Sequence, residues 1–313
     1  MISVCISTYN GEKYIYRQLE TIYHQSLAAD EVVICDDCSL DATVSIIEQF
    51  IEKHQLKDIW HLYRNESNRG YPGNFYYAMS LCRGDIVFLA DQDDVWKPDK
   101  LKNMVKIMED NAQIGLLASK WGIIDHEGKV LKEISRGKLT EAFQCDKITI
   151  PDILYCYDYP GMAMCYRKVL GDKVLERIQG GRQESKLAHD VALCLMAAEK
   201  DEFYAVNQVH QYHRRHNANV AMEEHRVHKL LNKKRKICEI DKYIDWLQEV
   251  LGSQCLETEE AYAFIKRKKV IMQERLDNLI NGKRIKMLRQ YWKYPKEIRL
   301  VTVICDWLIC GMR

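Results

Sequence analysis

The sequence has little of what marks several large classes of protein. It has five prolines in 313 residues and 47% of its residues are hydrophobic, so a disordered chain is not expected. No apolar run approaches the roughly 20 residues that a membrane-spanning helix needs. The best stretch, residues 300–310, is too short and contains Asp306. The first residues also lack the basic and apolar regions of a signal peptide. These absences favour a globular protein.

Two phosphate-binding motifs are also missing. The sequence contains neither GxxxxGK[ST] nor GxGxxG, which disfavours the usual kinds of kinase and dehydrogenase. The 12 cysteines are irregularly spaced and many lie in apolar runs, which indicates a reducing, cytoplasmic compartment. Cys35 and Cys38 have CxxC spacing, but without a second pair or nearby histidines a zinc site is not expected. A redox role for this pair stays open as a minor alternative.

Apolar runs alternate with helical patterns over the first 110 residues. The strand-like runs are residues 2–7, 31–35, 59–63 and 85–90. The helical patterns cover residues 12–25, 41–53 and 75–82, and a fourth begins near Pro98. This alternation predicts an α/β fold with a mostly parallel central sheet and helices on both faces.

The pattern changes after Gly115. Residues 116–124 and 129–134 predict a hairpin, and a helix is expected over residues 189–199. The last part of the chain reads as helical and charged. Lysine and arginine number 26 against 32 acidic residues over 1–220, and 20 against 13 over 221–313. We therefore place a boundary near residue 220.

The segments that follow the four strands are the first place to look for chemistry, because ligands of open α/β sheets bind there. Asp91 and Asp93 follow the fourth strand and point the same way in an extended segment. A cation between them would relieve their repulsion, and the spacing suits Mg²⁺ or Mn²⁺ bridging a diphosphate. A solvated acidic turn, with Asp94 capping the next helix, is the alternative.

Two other strand ends are equally ambiguous when taken alone. Asp36 and Asp37 either cap the following helix or accept hydrogen bonds from a base or a ribose. Tyr9 either stacks on a base or only packs. The joint placement of these residues at successive strand ends is the stronger signal.

Four stretches resemble the family 2 glycosyltransferases in order and spacing. They are Ile-Ser-Thr-Tyr-Asn-Gly-Glu (6–12), Val-Val-Ile-Cys-Asp-Asp-Cys-Ser-Leu-Asp-Ala-Thr (32–43), Asn-Arg-Gly (68–70) and Ala-Asp-Gln-Asp-Asp-Val-Trp (90–96). The last is most similar to bacterial rhamnosyltransferase-like enzymes of surface polysaccharide synthesis. The likeness covers about residues 1–220 and implies a GT-A fold, the Rossmann-like fold of nucleotide-diphospho-sugar transferases. One departure is Cys38, where glycine is usual; it should be tolerated unless a positive φ is required.

The resemblance implies a role for each matching residue. Thr8, Tyr9 and Glu12 would line the nucleotide pocket, while Asp37 would contact the base and Asp36 would support it. Asp91 and Asp93 would form the Asp-x-Asp motif at the metal and the donor ribose. The full set expected at the nucleotide and donor is Thr8, Tyr9, Asn10, Glu12, Asp36, Asp37, Ser39, Asn68, Gly70 and Asp91.

Asp190 matches the acidic residue that inverting members use as base on a later helix. A first-turn or capping role is its alternative, and His189 is read as a neighbour. His213, Arg214 and Arg215 are candidates for contacts with the diphosphate, the metal or the acceptor, or they form a solvated basic loop. The Gln-x-x-Arg-Trp motif of processive relatives is missing, which favours transfer of one sugar at a time.

The resulting prediction is an inverting glycosyltransferase that depends on Mn²⁺ or Mg²⁺. Residues 1–110 would bind a UDP- or dTDP-sugar and residues 111–220 a saccharide or lipid-linked saccharide; dTDP-rhamnose is suggested by resemblance alone. A non-catalytic scaffold of a polysaccharide assembly complex is one alternative. A sugar nucleotidyltransferase is another, but it would need a glycine-rich basic loop after the first strand.

The C-terminal region, residues 221–313, combines basic clusters with an amphipathic end. Such a segment fits a helix lying on the cytoplasmic face of the plasma membrane. Packing within the chain or in a homo-oligomer is the alternative. Nucleic acid is not expected, because no recognition module is visible.

Overall fold

The computed structural model describes residues 1–133, 145–155, 159–179, 187–215, 233–253, 255–295, 298 and 300–310. The chain separates into two compact units, Met1–Asn219 and Val220–Arg313. Each unit is taken by itself below.

The described part of the first unit is built on one sheet of ten strands. The order is β3-β2-β1-β4-β9-β6-β10-β5, with β7 paired to β6 and β8 to β10. The strands are β1 (Ile2–Thr8), β2 (Glu31–Asp36), β3 (Trp60–Arg64), β4 (Ile86–Asp91), β5 (Val95–Trp96), β6 (Leu116–Ile124), β7 (Val130–Glu133), β8 (Cys145–Lys147), β9 (Met164–Arg167) and β10 (Phe203–Arg214).

Seven helices of this unit lie within the described residues. They are α1 (Ile15–Tyr23), α2 (Thr43–Lys53), α3 (Gly70–Leu81), α4 (Lys100–Asp110), α5 (Ile150–Tyr155), α6 (Lys168–Gln179) and α7 (His189–Glu199). A single 3₁₀ turn, Gly161–Ala163, precedes β9.

The sheet is parallel from β3 through β2 and β1 to β4. These strands are apolar on both faces because helices cover the sheet, and Val4, Ile6, Ile34 and Phe88 are fully buried. Strand β9 then runs antiparallel between β4 and β6, and β10 runs parallel to β6. The predicted α/β alternation and the β6–β7 hairpin are confirmed.

Two boundaries differ from the prediction. Helix α3 begins at Gly70, where a loop up to residue 75 was expected. Pro72 fits this first turn, since the N–H that proline lacks would have no helical partner there. Strand β10 runs to Arg214, so residues 212–214 belong to the sheet and not to a basic loop. Its pairing with β6 and β5 outweighs the polar composition.

The described part of the second unit is helical. Its helices are α8 (Lys233–Gly252), α9 (Glu259–Ile280), α10 (Arg284–Lys293) and α11 (Leu300–Cys310). Ile244 and Leu247 of α8 and Ile265 of α9 are buried. Arg275 on α9 and Asp306 on α11 form a buried ion pair at 2.5 and 3.0 Å. No helix in the described ranges of either unit is long and apolar enough to cross a membrane.

Candidate active site

The carboxyl ends of β2, β1 and β4 lie side by side. Thr8 on β1 is the register partner of Asp36 on β2, and Ser7 is the partner of Asp91 on β4. Three of the loops that the sequence singles out therefore leave the sheet from adjacent points of one edge, where open α/β sheets bind their ligands.

The buried Asp36 carboxylate ties the ends of β1 and β2 together. It accepts hydrogen bonds from Thr8 Oγ1 at 2.9 Å and from Ser39 Oγ at 2.5 Å. The Ser39 N–H donates to its second oxygen at 2.8 Å. Thr8 and Asp36 are almost completely buried, so they hold the loops in place.

Asp37 organises the loop before α3. Its Oδ1 accepts hydrogen bonds from Asn65 Nδ2 and from the Arg69 N–H, both at 2.7 Å. Asn68 Nδ2 donates to the Asp37 carbonyl at 3.0 Å, and Asn68 Oδ1 accepts from the Gly70 N–H at 2.9 Å. The predicted residues Asp37, Asn68 and Gly70 are thus one connected set.

Cys38 adopts the left-handed conformation, with φ at +65°. This is the condition under which glycine is favoured, and a non-glycine residue there costs about 1 kcal/mol. The Cys38 thiol donates to the Asn65 carbonyl at 3.2 Å. Cys35 is buried, and burial raises its pKa to about 12. Cys35 therefore does not supply the reactive thiolate of a redox site.

Tyr9 is an exposed aromatic residue in the loop after β1, with 47% of its surface accessible. Its neighbours are fastened to the loop after β2. The Asn10 N–H donates to Ser39 Oγ at 2.9 Å, and Glu12 Oε2 accepts from the Ala42 N–H at 2.9 Å. The Tyr9 ring is therefore the part of this loop that presents a surface to a ligand.

Gln92 joins the loop after β4 to the loop after β1. Its Oε1 accepts a hydrogen bond from the Tyr9 N–H at 2.9 Å, and its Nε2 donates to the Tyr9 carbonyl at 2.9 Å. A Cβ on Gly11 would lie 2.2 Å from Gln92 Oε1, which explains the glycine at that position. The sequence analysis missed this residue, although it stands inside the Asp-x-Asp motif.

Three carboxylates crowd the loop after β4. Burial raises the pKa of Asp91 well above its usual range, and the neighbouring charges of Asp94 and Asp93 raise it further. Asp94 is completely buried, and its Oδ1 accepts from the Arg214 N–H at 3.2 Å. Asp94 therefore braces the loop against β10 and does not cap α4.

His213 forms an ion pair with Asp94, with Nδ1 donating to Oδ1 at 3.0 Å. Burial alone would lower the pKa of His213, but the Asp94 carboxylate outweighs it and raises the pKa to about 9. A positively charged imidazole fits the predicted contact with an anionic diphosphate. The predicted contact of His213 with a metal ion stays a prediction.

Arg214 is buried and its guanidinium is used within the protein. Nε donates to the Asp93 carbonyl at 2.9 Å, and Nη1 donates to the carbonyls of Asp125 and His126 at 3.2 and 3.3 Å. Arg214 thus connects the Asp-x-Asp loop to the β6–β7 turn, which argues against the predicted substrate contact. Arg215 is exposed and stays a candidate.

Asp190 lies in the first turn of α7, as the sequence predicts. Its Oδ2 accepts a hydrogen bond from the Gly161 N–H at 3.2 Å, and its Oδ1 accepts from the Val191 N–H at 2.8 Å. The bond from Val191 lies in the first turn of α7, as expected for the first-turn or capping role that is the alternative to a base. The bond from Gly161 ties the carboxylate to the 3₁₀ turn before β9.

The hydroxyl of Tyr71, at the start of α3, is affected by both Asp190 and Asp91. Desolvation raises the pKa of its hydroxyl, and the carboxylates of Asp190 and Asp91 raise that pKa further. Both carboxylates therefore act on one phenol, and Tyr71 still exposes 42% of its surface. The sequence offers no signal for this residue beyond its place after Asn-Arg-Gly.

His189 is part of the packed interior. Its ring stacks on Phe75 with centroids 3.9 Å apart, and neither nitrogen has a hydrogen-bond partner among the described residues. Burial lowers its pKa to about 4, against the pull of Asp190. A neutral, buried imidazole does not fit the predicted contact with diphosphate or acceptor.

Lys100 is a second residue that the sequence analysis missed. It is fully buried, its Nζ donates to the Met162 carbonyl at 2.6 Å, and it lies 3.7 Å from the Trp96 ring centroid. Burial lowers its pKa to about 7, although the Asp94 carboxylate acts the other way. Because Met162 follows Gly161, Lys100 links α4 to the turn that contacts Asp190.

The described residues contain no group of three His, Cys, Asp or Glu side chains arranged to hold a metal ion unaided. The crowding of Asp91 and Asp93 nevertheless fits a cation, which would relieve their repulsion. Mg²⁺ usually takes one or two carboxylates and completes its coordination with substrate phosphates and water. These residues therefore fit a divalent cation that binds together with a diphosphate.

The sheet, with carboxylates at the ends of its parallel strands, has the architecture of the GT-A fold. Solved structures of residues 1–349 of Staphylococcus aureus TarS share this fold. The complex with UDP superposes with a TM-score of 0.54 at 20% identity, over 95% of this chain and 93% of that one. The complex with UDP-GlcNAc has a TM-score of 0.54, over 99% and 90%. At this identity the likeness shows the fold alone.

Residues 3–171, more than half of the chain, match the model of glycosyl transferase family 2, and the chain belongs to this family. The predicted family, GT-A fold and glycosyltransferase class are confirmed. An uncharacterized glycosyltransferase of Nostoc sp. is 30% identical over 177 residues, 55% of this chain and 52% of that protein.

Two named enzymes match over a shorter range. Chondroitin synthase of Escherichia coli is 30% identical over 152 residues, 46% of this chain and 21% of that protein. The poly(ribitol-phosphate) β-N-acetylglucosaminyltransferase TarS is 33% identical over 123 residues, 39% and 21%. The match spans about half the length of the Nostoc relative and about a fifth of these two.

Proposed function

We propose that the protein is an inverting, metal-dependent glycosyltransferase of cell-surface polysaccharide synthesis. It moves one sugar from a UDP- or dTDP-sugar to a hydroxyl of a saccharide or lipid-linked saccharide. The observation that carries the proposal is the placement of the carboxylates. Asp91 ends β4 beside the ends of β1 and β2, and the Tyr71 ring at the start of α3 lies 5.6 Å from the ring of His189, the neighbour of Asp190. A base and a diphosphate-binding carboxylate must flank the anomeric carbon in such a reaction.

The donor is a pyrimidine nucleotide sugar. TarS has been solved with UDP and with UDP-GlcNAc, and uracil and thymine share the imide edge that Asp37 would read. The exposed ring of Tyr9 offers the stacking surface for the base. Rhamnose as the sugar rests on the likeness of residues 91–96 alone.

Asp190 acts as the base. It takes the proton of the acceptor hydroxyl while the acceptor oxygen bonds to the anomeric carbon, and the bond from that carbon to the diphosphate breaks on the opposite side. A single carboxylate facing the leaving group fits inversion, since retaining hydrolases use two carboxylates in other roles. The hydrogen bond from Gly161 orients Asp190 for this step.

The carboxylates of Asp91 and Asp93 would hold Mn²⁺ or Mg²⁺, which supplies charge neutralisation to the leaving diphosphate. His213, on β10, adds a second positive charge beside this loop through its ion pair with Asp94. Arg215 is the remaining cationic candidate for the diphosphate or the acceptor. The acceptor is assigned to residues 111–220 and the nucleotide to residues 1–110.

The reaction is assigned to the cytoplasmic face of the plasma membrane. A lipid-linked acceptor would be found there, and residues 221–313 carry 20 basic against 13 acidic residues. A homo-oligomer is the competing use of this region, and nucleic acid has no part in the proposal.

The test is an assay of sugar transfer by the purified protein from UDP-GlcNAc, UDP-glucose and dTDP-rhamnose. The quantity measured is the release of the nucleoside diphosphate, with and without saccharide acceptors. Asp190→Asn should lower turnover roughly 10²–10⁴-fold, because it removes the base. It should leave UDP binding intact. Asp110→Asn, at an exposed acid at the end of α4, is the matched control.

Full turnover by folded Asp190→Asn protein would refute the assignment of the base. A folded wild-type protein that binds none of the three donors would instead favour the scaffold.

A further inference from the structure

Helix α10 carries an apolar stripe on its exposed side. Ile285 exposes 69% of its surface and Trp292 exposes 80%, and Leu288 is exposed between them. Residues spaced by three and four lie on one face of a helix. Met287 and Gln290, on the other face, are the buried residues of α10. The stripe therefore points away from the core of its own unit.

Helix α11 has a second stripe of the same kind. Ile304, Trp307 and Leu308 are exposed, whereas Val303 and Ile309 are buried. The Arg284 guanidinium stacks on the Trp307 ring at 4.8 Å, so the start of α10 lies beside the exposed part of α11. We call these six residues the docking face: Ile285, Leu288, Trp292, Ile304, Trp307 and Leu308.

The charge around the docking face is mostly basic, although Lys293 lies 3.8 Å from Glu274 and Lys283 lies 2.7 Å from Asp277. Helix α10 contains Arg284, Lys286, Arg289 and Lys293 and no acidic residue. Residues 281–313 hold eight lysines and arginines against Glu297 and Asp306. Asp306 is buried in its ion pair with Arg275 and does not offset the surface charge.

We propose that the docking face inserts into the interface of a bilayer that contains anionic phospholipids, with α10 and α11 lying on the membrane surface. Tryptophan and aliphatic side chains enter the boundary between head groups and acyl chains, while the flanking lysines and arginines bind lipid phosphates. The inference rests on the proposed function only for its purpose, which is to bring the active site to a lipid-linked acceptor.

Two other occupants fit the face less well. A second copy of the chain would place the same surface against itself, so that the basic residues of α10 would meet each other. A nucleic acid would match the charge but would leave Ile285 and Leu288 in water. An anionic bilayer satisfies both the charge and the apolar stripe.

The test is sedimentation of the full-length protein with vesicles of phosphatidylcholine alone or mixed with phosphatidylglycerol. We expect binding to the mixed vesicles, weakened by salt, and little binding to phosphatidylcholine. The double variant Ile285→Ser/Trp292→Ala should lose binding. Lys286→Gln and Arg289→Gln should each weaken it roughly fivefold. Val270→Ser, at an exposed apolar residue of α9 outside the face, is the matched control and should bind normally.

Three outcomes would overturn the inference. Equal binding by Ile285→Ser/Trp292→Ala would show attraction by charge alone, as for any polyanion. Wild-type protein that stays in solution with anionic vesicles would refute the membrane contact directly. Conversion of a dimer to a monomer by the double variant, without vesicle binding, would assign the face to a second copy.

Donor turnover with a water-soluble acceptor separates this inference from the proposed function. It should be unchanged in Ile285→Ser/Trp292→Ala, because these residues lie outside the catalytic unit. Vesicle binding without turnover would leave the docking face standing and refute the reaction. Turnover without vesicle binding would support the reaction and refute the docking face.

Discussion

At the scale of single residues, Gln92 shows how the loops after β1 and β4 are held together. It is the variable position of the Asp-x-Asp motif, yet its amide makes two hydrogen bonds to the backbone of Tyr9. The loops after β1 and β4 are therefore joined through this side chain. Gln92 contacts no ligand in the proposed reaction, but it positions Tyr9 and the neighbouring carboxylates, which would.

Replacing Gln92 by leucine keeps most of the side-chain volume and removes both hydrogen bonds. At about 1 kcal/mol for each bond, we expect UDP to bind roughly thirtyfold more weakly. Turnover at saturating donor should change less. Isothermal titration and initial rates would measure this, with the exposed Gln113→Leu as control. Wild-type affinity in Gln92→Leu would contradict the positioning role.

Two buried histidines predict how stability depends on pH. Burial lowers the pKa of His189 and of His210 to about 4, from 6.5. The unfolded chain then binds protons first as the pH falls, so their contribution is complete above pH 6.5 and is lost towards pH 4. At pH 5.5 the loss is roughly 1 kcal/mol for each histidine.

Urea unfolding at several pH values between 7.5 and 5.5 measures this loss. His189→Leu should reduce the loss of stability on acidification by roughly 1 kcal/mol, since this group no longer titrates; His213, whose pKa is raised to about 9, acts in the opposite direction in both proteins. His126→Gln, at an exposed histidine, is the control for the loss of one imidazole. A His189→Leu variant with the wild-type pH dependence would rule out a neutral, buried His189.

At the scale of elements, β10 supplies the contacts that hold the Asp-x-Asp loop in place. Its pairing with β6 shifts register between Val206 and Gln211. Beyond the shift, His213 and Arg214 contact Asp94 and the Asp93 carbonyl. One strand therefore supplies both the counter-charge and the brace of the Asp-x-Asp loop.

The ion pair between α9 and α11 is the corresponding contact in the second unit. Asp306→Ala leaves the Arg275 guanidinium buried without its partner, and we expect a loss of about 3–5 kcal/mol in unfolding free energy. Urea unfolding followed by tryptophan fluorescence would measure it. Arg275→Met/Asp306→Leu should recover most of the loss, and the exposed Asp241→Ala should cost little. A single variant as stable as wild type would contradict this account.

At the scale of the whole molecule, ligand binding should register as stabilisation. At a concentration about 100 times its Kd, a ligand of the folded state adds about 2.7 kcal/mol. We expect UDP or dTDP with Mn²⁺ to raise the melting temperature by several degrees, and EDTA to abolish the rise. GDP and CMP should have little effect.

Asp93→Asn should lose the effect of Mn²⁺ in the same thermal-shift experiment, whereas Asp110→Asn should keep it. No shift with any nucleotide in well-folded protein would refute the diphosphate site. A shift that survives EDTA would refute only its dependence on metal.

Local patterns were sufficient for the α/β order, the β6–β7 hairpin and the full extent of α7. Apolar runs and helical spacing reflect burial on one or both faces, which is a property of neighbouring residues in the chain. The start of α3 was misjudged, because a glycine and a proline usually mark a loop and only their position in the first turn makes them compatible with a helix.

By itself, the sequence determined the family, the fold class and the strand ends that carry carboxylates, since these depend on short motifs and on periodicity. Tertiary structure decided which of those residues are used in contacts within the protein. It buries Asp94 and Arg214 together, pairs Gln92 with Tyr9 and brings Tyr71 near Asp190. These pairs lie between 83 and 120 residues apart in the sequence. No local spacing records which distant side chains meet, because the packing of the sheet and its helices determines those contacts.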